Sequence, residues 1–216
     1  LCIMDINQYR ELICKINPLE ESKFRYNIQT LKNLNVELKA HLSQFENNFI
    51  KRVDVINSFR KYYEGIFDWE IPFAITMIWG FADTGYGSYR TNKFYATESN
   101  RNIIEYSFKL AEDNKIESAY KALQTINGLN ISYISKLLYF ATRAKELRYY
   151  SLIYDIRVAK SLVKLTCPPE IYEILDIKPS NKFYHYKRYN DLMHKIADEN
   201  DVSAESLEMF LFMQNF

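Results

Sequence analysis

The sequence predicts an all-α protein, a two-lobed helical bundle, and three observations carry that prediction. Glycine and proline are scarce, 5 of each in 216 residues, which leaves few of the turns that a β-sandwich requires. Apolar residues recur at three- and four-residue spacing along most of the chain, the period of a helix with one buried face. The breakers fall between those runs and divide the chain into about ten helical segments.

Taken in order, residues 5–16 place Ile6, Tyr9, Leu12, Ile13 and Ile16 on one face, and Pro18 ends the run. Residues 20–50 repeat the pattern through Leu31, Leu34, Leu38, Leu42, Phe45 and Phe49, with a break near Asn33 and Asn35. Residues 51–64 form an amphipathic unit around Val55, Phe59 and Tyr62, and Gly65 supplies the stop. The apolar run before Gly80 fits a buried helix or a strand, which periodicity cannot separate over that length. Beyond it, Asp83, Thr84, Gly85, Gly87, Ser88 and Asn92 predict a loop holding Phe81, Tyr86, Tyr89 and Phe94. That is an odd place for aromatic surface unless something packs there. Helices over 99–113 and 115–125 lead to a glycine turn, a second helix and a link at 145–154. A helix from Asp155 to about Leu165 precedes a break at residues 167–169, Cys-Pro-Pro. Helices at 181–199 and 203–216, the latter capped by Ser203, close the chain.

Composition narrows the function. The chain is long enough to bury a full core, and 48% hydrophobic with 25% charged residues is ordinary for a globular protein. Cys2, Cys14 and Cys167 form no CxxC pair, which argues for a reducing compartment and against a structural metal. His41, His185 and His194 lack the spacing of a helical metal pair, so neither metal nor cofactor is expected. The first residues resemble neither a signal peptide nor a membrane span, and a cytoplasmic monomer is the expectation. No phosphate-cradling GxxxxGK[ST] and no GxSxG turn occurs. A net charge of +1 gives no support to nucleic-acid binding, but its distribution does. Between 132 and 164, Lys136, Arg143, Lys145, Arg148, Arg157, Lys160 and Lys164 oppose only Glu146 and Asp155, and an acidic C-terminal third balances them. Such a basic face suits phosphates.

The stretch from Ile126 to Leu162 concentrates the chemistry. Gly128 can adopt backbone angles that other residues resist, and Ile131, Ile134, Leu137, Leu138 and Ala141 then give a helix one apolar face. Amide groups of such a turn and of the helix start can point at a phosphate, gripping DNA without reading its sequence. Asp155 heads the following helix, where aspartate is a favoured cap. The dense YHYKRY at 184–189 reads as an aromatic helix face or as DNA-backbone contacts.

The runs INGLNISYISKLLYFA and YDIRVAKSL, with the earlier WGFADTGYGSYRTNKF, resemble the helix-hairpin-helix DNA glycosylase superfamily, most closely bacterial proteins related to 8-oxoguanine DNA glycosylase. The resemblance covers roughly residues 71–165. It implies one glycosylase domain, with a hairpin lobe at about 71–165 and an outer lobe at about 1–70 and 166–216. Its partner would be double-stranded DNA, from which it would flip and excise a damaged or modified base, an 8-oxoguanine-like purine being favoured. It implies that Asp155 stabilises charge on the sugar, and that Gly128, Asn130, Ser132 and Arg157 meet DNA. Trp79, Phe81, Tyr86 and Tyr89 are candidates for the base pocket or for the wedge that fills the gap left by the flipped base. Arg90, in the pocket, and Lys93 are candidates for contact with the base or with phosphate. The pattern departs at Asn127 and Asn130, where the superfamily has proline and a second glycine. It departs again at Ser132, where lyase-competent members carry the lysine. Lys136 lies one helical turn further on the same face and is the candidate nucleophile for an associated AP-lyase step. A glycosylase for a modified pyrimidine such as those of phage DNA, a non-catalytic DNA-binding hairpin and a helical interaction protein are the alternatives.

Overall fold

The fold is that of a computed structural model, described over residues 6–27, 29, 31–46, 48–81, 87–166 and 182–213, with the side chains of 163–166 set aside. A 3-10 turn, Ile6–Tyr9, opens into α1 (Arg10–Lys15). Pro18 separates α1 from α2 (Pro18–Glu21), where it occupies the first position and its missing N–H removes no helical bond.

The stretch 20–50 departs from the expected long helix. It contains β1 (Lys23–Arg25), α3 (Val36–Leu42), a 3-10 turn at Ser43–Phe45, and β2 (Phe49–Lys51). The two strands pair antiparallel, with Phe24 opposite Ile50. The leucine periodicity marks burial correctly, since Leu31, Leu34, Leu38 and Leu42 are all in the core. It does not mark continuity, because Asn35 turns its side chain onto the amides of Glu37 and Leu38 and starts a new helix there.

The helix α4 (Arg52–Tyr63) ends at Gly65, whose φ of +72° is the left-handed stop that glycine favours. The apolar run is a helix, α5 (Glu70–Phe81), buried along most of its length. After it comes a second departure: residues 87–95 form α6 (Gly87–Tyr95), so Tyr89 and Phe94 lie on a helix and Phe81 ends one. Gly87 and Ser88 read as breakers because their packing is invisible in sequence. A Cβ at Gly87 would stand 3.0 Å from the Phe81 Cβ, so glycine admits the close approach of α6 to the end of α5. Asp83, Thr84, Gly85 and Tyr86 lie outside the described residues.

Helices α7 (Glu98–Glu112), α8 (Ile116–Gln124), α9 (Ile131–Ala144) and α10 (Ile156–Thr166) follow, then α11 (Phe183–Glu199) and α12 (Ala204–Met213). Ser203 caps α12 as expected, accepting a bond from the Ser206 amide at 2.9 Å. The Cys-Pro-Pro break lies outside the described residues. Helices α4, α5, α7 and α8 pack around α9, while α12 packs on α1, α10 and α11. Three of the largest buried side chains, Tyr139, Phe140 and Tyr154, lie on α9 or on the extended segment that leads from it to α10. That segment carries Ile153 and Asp155 into the cavity described below.

Candidate active site

The glycine turn predicted at 126–130 joins α8 to α9. Gly128 has φ +88°, a conformation that would strain an L side chain. A Cβ there would also meet Lys93 Nζ at 3.3 Å, so Lys93, on α6, lies directly on the hairpin. Asn130, where the resemblance leads one to expect a second glycine, caps α9 by accepting the Ser132 amide at 3.1 Å. The Ser132 amide at the helix start is thereby paired within the chain.

The segment 151–155 that delivers Asp155 pairs with no strand among the described residues, and the backbone groups of residues 151–154 bond to side chains. Thr142 Oγ1 accepts the Ser151 amide at 2.9 Å, and Ser135 Oγ accepts the Tyr154 amide at 3.0 Å, both from α9. From α11, Tyr186 donates its hydroxyl to the Leu152 carbonyl and Tyr189 donates to the Ile153 carbonyl, each at 2.7 Å, while Asn190 accepts the Leu152 amide. Each buried backbone group would cost stability if left unpaired. The YHYKRY motif thus turns its buried tyrosines inward onto this segment. Asp155 caps α10, its Oδ1 accepting the Arg157 amide at 2.9 Å.

Lys136 and Asp155, 19 residues apart, line one cavity of about 300 Å³. Trp79 and Gly80 form the wall from α5, Arg52 from α4, and Glu208, Met209 and Phe212 from α12. Trp79 is fixed by a 3.2 Å bond from Nε1 to the Ser22 carbonyl and by an edge contact with Phe140. Gly80 makes room for the lysine: a Cβ there would lie 2.8 Å from Lys136 Cδ and 3.3 Å from Cε. Burial lowers the Lys136 pKa below that of an ordinary lysine, opposed by Asp155 and Glu208 and reinforced by Arg52. The amine donates to the Ser132 carbonyl at 3.2 Å and to Ser132 Oγ at 3.1 Å.

A buried charge network underlies this cavity. Arg52 Nη1 pairs with Glu208 Oε2 at 2.8 Å, both side chains being almost wholly buried. Tyr139 donates to Glu205, which also pairs with Arg143. Burial disfavours the Arg52 charge, but Glu208 and Tyr139 outweigh it and hold the guanidinium protonated. The Arg52 guanidinium also lies over the rings of Trp79 and Tyr139.

Among the described aromatics predicted for the pocket, Trp79 alone lines the cavity. Phe81 is buried against Tyr133, Tyr89 is exposed, and Tyr86 lies outside the described residues. Arg90 is exposed and hydrogen-bonds Tyr133 Oη. Arg157 is exposed with its guanidinium over the Phe212 ring. Sequence reasoning missed Arg52, Glu208 and Phe212, which reach the site from the two ends of the chain. The available signal was Glu208 standing beside the apolar residues 209–213; Arg52 carried none. It also missed Tyr133, which carries Phe81, Phe94 and Arg90 around it. Among the described residues no cluster of three His, Cys, Asp or Glu could hold a metal, and no helix is long and apolar enough to cross a membrane.

A family model described as "Putative 8-oxoguanine DNA glycosylase OGG-like protein" matches residues 17–212. The chain belongs to this family. The match to the OGG-like family extends well beyond residues 71–165, so it includes α4 and α12, which complete the cavity wall. Searches of curated proteins and of solved structures gave no match.

Proposed function

We propose that this OGG-like protein flips a damaged or modified base, with an 8-oxoguanine-like purine favoured, from duplex DNA and cleaves its N-glycosidic bond. The observation that carries this reading is the meeting of Lys136 and Asp155 in one cavity with an aromatic wall at Trp79. Its volume lies at the lower end of small-molecule sites, which suits a single base. The hairpin lobe supplies Trp79, Lys136 and Asp155, and the outer lobe supplies Arg52 and Glu208, so the cavity lies where the two proposed lobes meet. Gly128, Asn130 and Lys93 hold phosphate beside it.

Asp155 stabilises the positive charge that develops on the sugar as the base departs. Lys136, held toward the neutral amine by burial, directs its lone pair at C1′ as the bond from C1′ to the base breaks. The electron pair leaves with the base, which takes up a proton equivalent to the one lost from Nζ. Opening of the C1′–O4′ bond, with its electron pair and a proton going to O4′, then gives the Schiff base from which the strand is cut.

The test uses duplex oligonucleotides carrying 8-oxoguanine, modified pyrimidines or only normal bases, read for released base and for a borohydride-trapped adduct. Asp155→Asn, whose amide still caps α10, is expected to fold normally and to lose about 100-fold or more in base release. Undiminished release by this variant would sink the assignment. Salt-dependent DNA binding without any product would favour the non-catalytic module.

A further inference from the structure

The serine that stands where a lysine was expected is hydrogen-bonded to the lysine one turn later. Lys136 Nζ lies 3.1 Å from Ser132 Oγ and 3.2 Å from the Ser132 carbonyl oxygen. A neutral amine has two N–H bonds and one lone pair. With a single acceptor it can rotate about the N–H···O axis, and the lone pair sweeps a cone. With two acceptors that rotation stops, and the lone pair points away from both. The carbonyl is present whatever residue occupies 132; the second acceptor is the hydroxyl, which only a serine or threonine places there.

The same carbonyl accepts a 3.1 Å bond from Ser135 Oγ, and Ser135 Oγ accepts the Tyr154 amide one residue before Asp155. Lys136, Ser132, Ser135 and the Asp155 segment are therefore tied into one chain of hydrogen bonds. On the remaining side, Gly80 leaves the stem of Lys136 its channel, and the Tyr133 ring lies 5.9 Å from Nζ.

We propose that Ser132 is a positioning residue, whose hydroxyl fixes the rotation of the Lys136 amine so that its lone pair faces the cavity. This rests on Lys136 being the nucleophile. It also reassigns Ser132 from a contact with DNA to a contact with the reacting amine.

The experiment compares wild type, Ser132→Ala, Ser132→Thr and Lys136→Gln as full chains. One arm follows the Lys136 amine by NMR of ¹⁵N-lysine protein during a pH titration, with Lys136→Gln assigning the signal. The other measures the pH profile of adduct trapping on an 8-oxoguanine duplex, together with DNA affinity. Asp155, Glu208 and Arg52 stay unchanged throughout and set the common background. A hydroxyl oxygen that accepts from the ammonium favours the charged form. Ser132→Ala is therefore expected to move the amine's titration midpoint, and the acid limb of trapping, to lower pH. Its plateau trapping rate should fall about tenfold while DNA affinity holds, and Ser132→Thr should restore both. An unchanged midpoint and plateau in Ser132→Ala would overturn the proposal. So would weakened DNA affinity with an unchanged plateau, which would make Ser132 a phosphate contact. No adduct from wild type, or an adduct that survives Lys136→Gln, would instead overturn the nucleophile reading, and the NMR arm would then report a bond without a catalytic role.

Discussion

At Gly80 the absence of one methyl group decides where a lysine lies. The stem of Lys136 crosses α5 where a Cβ would stand 2.8 Å from its Cδ. Alanine improves on glycine within a helix by about 1 kcal/mol, and the atom it would strike is midway along a flexible side chain that can swing away. Gly80→Ala is therefore expected to fold at least as stably as wild type while losing about 10- to 100-fold in adduct formation. Thermal unfolding and trapping kinetics on the same preparation check it, and wild-type trapping would show that the lysine does not depend on this channel. In the sequence Lys136 is a displaced candidate, one turn past the position expected from Gly128 and 19 residues before Asp155, and the fold brings it into one cavity with that aspartate. The role of Gly80 was not legible there, because it exists only once α5 lies against α9, and nothing in either helix announces that crossing.

The element that positions the aspartate is a segment held in place by side chains from other elements. Leu152 and Ile153 present their carbonyls to Tyr186 and Tyr189, buried hydroxyls on α11. Tyr186→Phe and Tyr189→Phe each remove one donor and leave a buried carbonyl unpaired, at about 1–3 kcal/mol apiece. Each variant is expected to unfold at lower denaturant and to release base more slowly, with DNA affinity retained, since the hairpin is untouched. Wild-type turnover in the double variant would show that the segment holds Asp155 without α11. The hairpin itself was readable because Gly128 and the apolar face of α9 are neighbours in sequence. The tyrosine supports were not, since they come from more than thirty residues away and read equally well as a helix face. The same limit explains 20–50 and α6. Leucine spacing and glycine content report burial and backbone freedom, while Asn35 capping α3 and Gly87 packing on Phe81 depend on what surrounds them.

Across the whole molecule, burying an amine opposes stability, and the sign follows from proton linkage. The Lys136 pKa is lower in the folded chain than the ordinary 10.5. Between those two values the unfolded chain holds a proton that the folded chain lacks, so stability rises with pH through that window. Below the window the folded state carries the full cost of the buried charge. Lys136→Met is expected to be more stable than wild type at neutral pH, with the difference shrinking as pH approaches the ordinary lysine value, and to form no adduct. Denaturation at neutral and alkaline pH checks this; a variant less stable than wild type at neutral pH would contradict it. Asp155 is different in kind, because it caps α10 as well as facing the cavity. A relative that had lost the chemistry would still gain from an aspartate at that position, but would have no other reason to keep a glycine facing a lysine. On the proposed mechanism, a retained Gly80 and Lys136 pair would mark a catalyst more sharply than a retained aspartate, which a capping role alone would preserve.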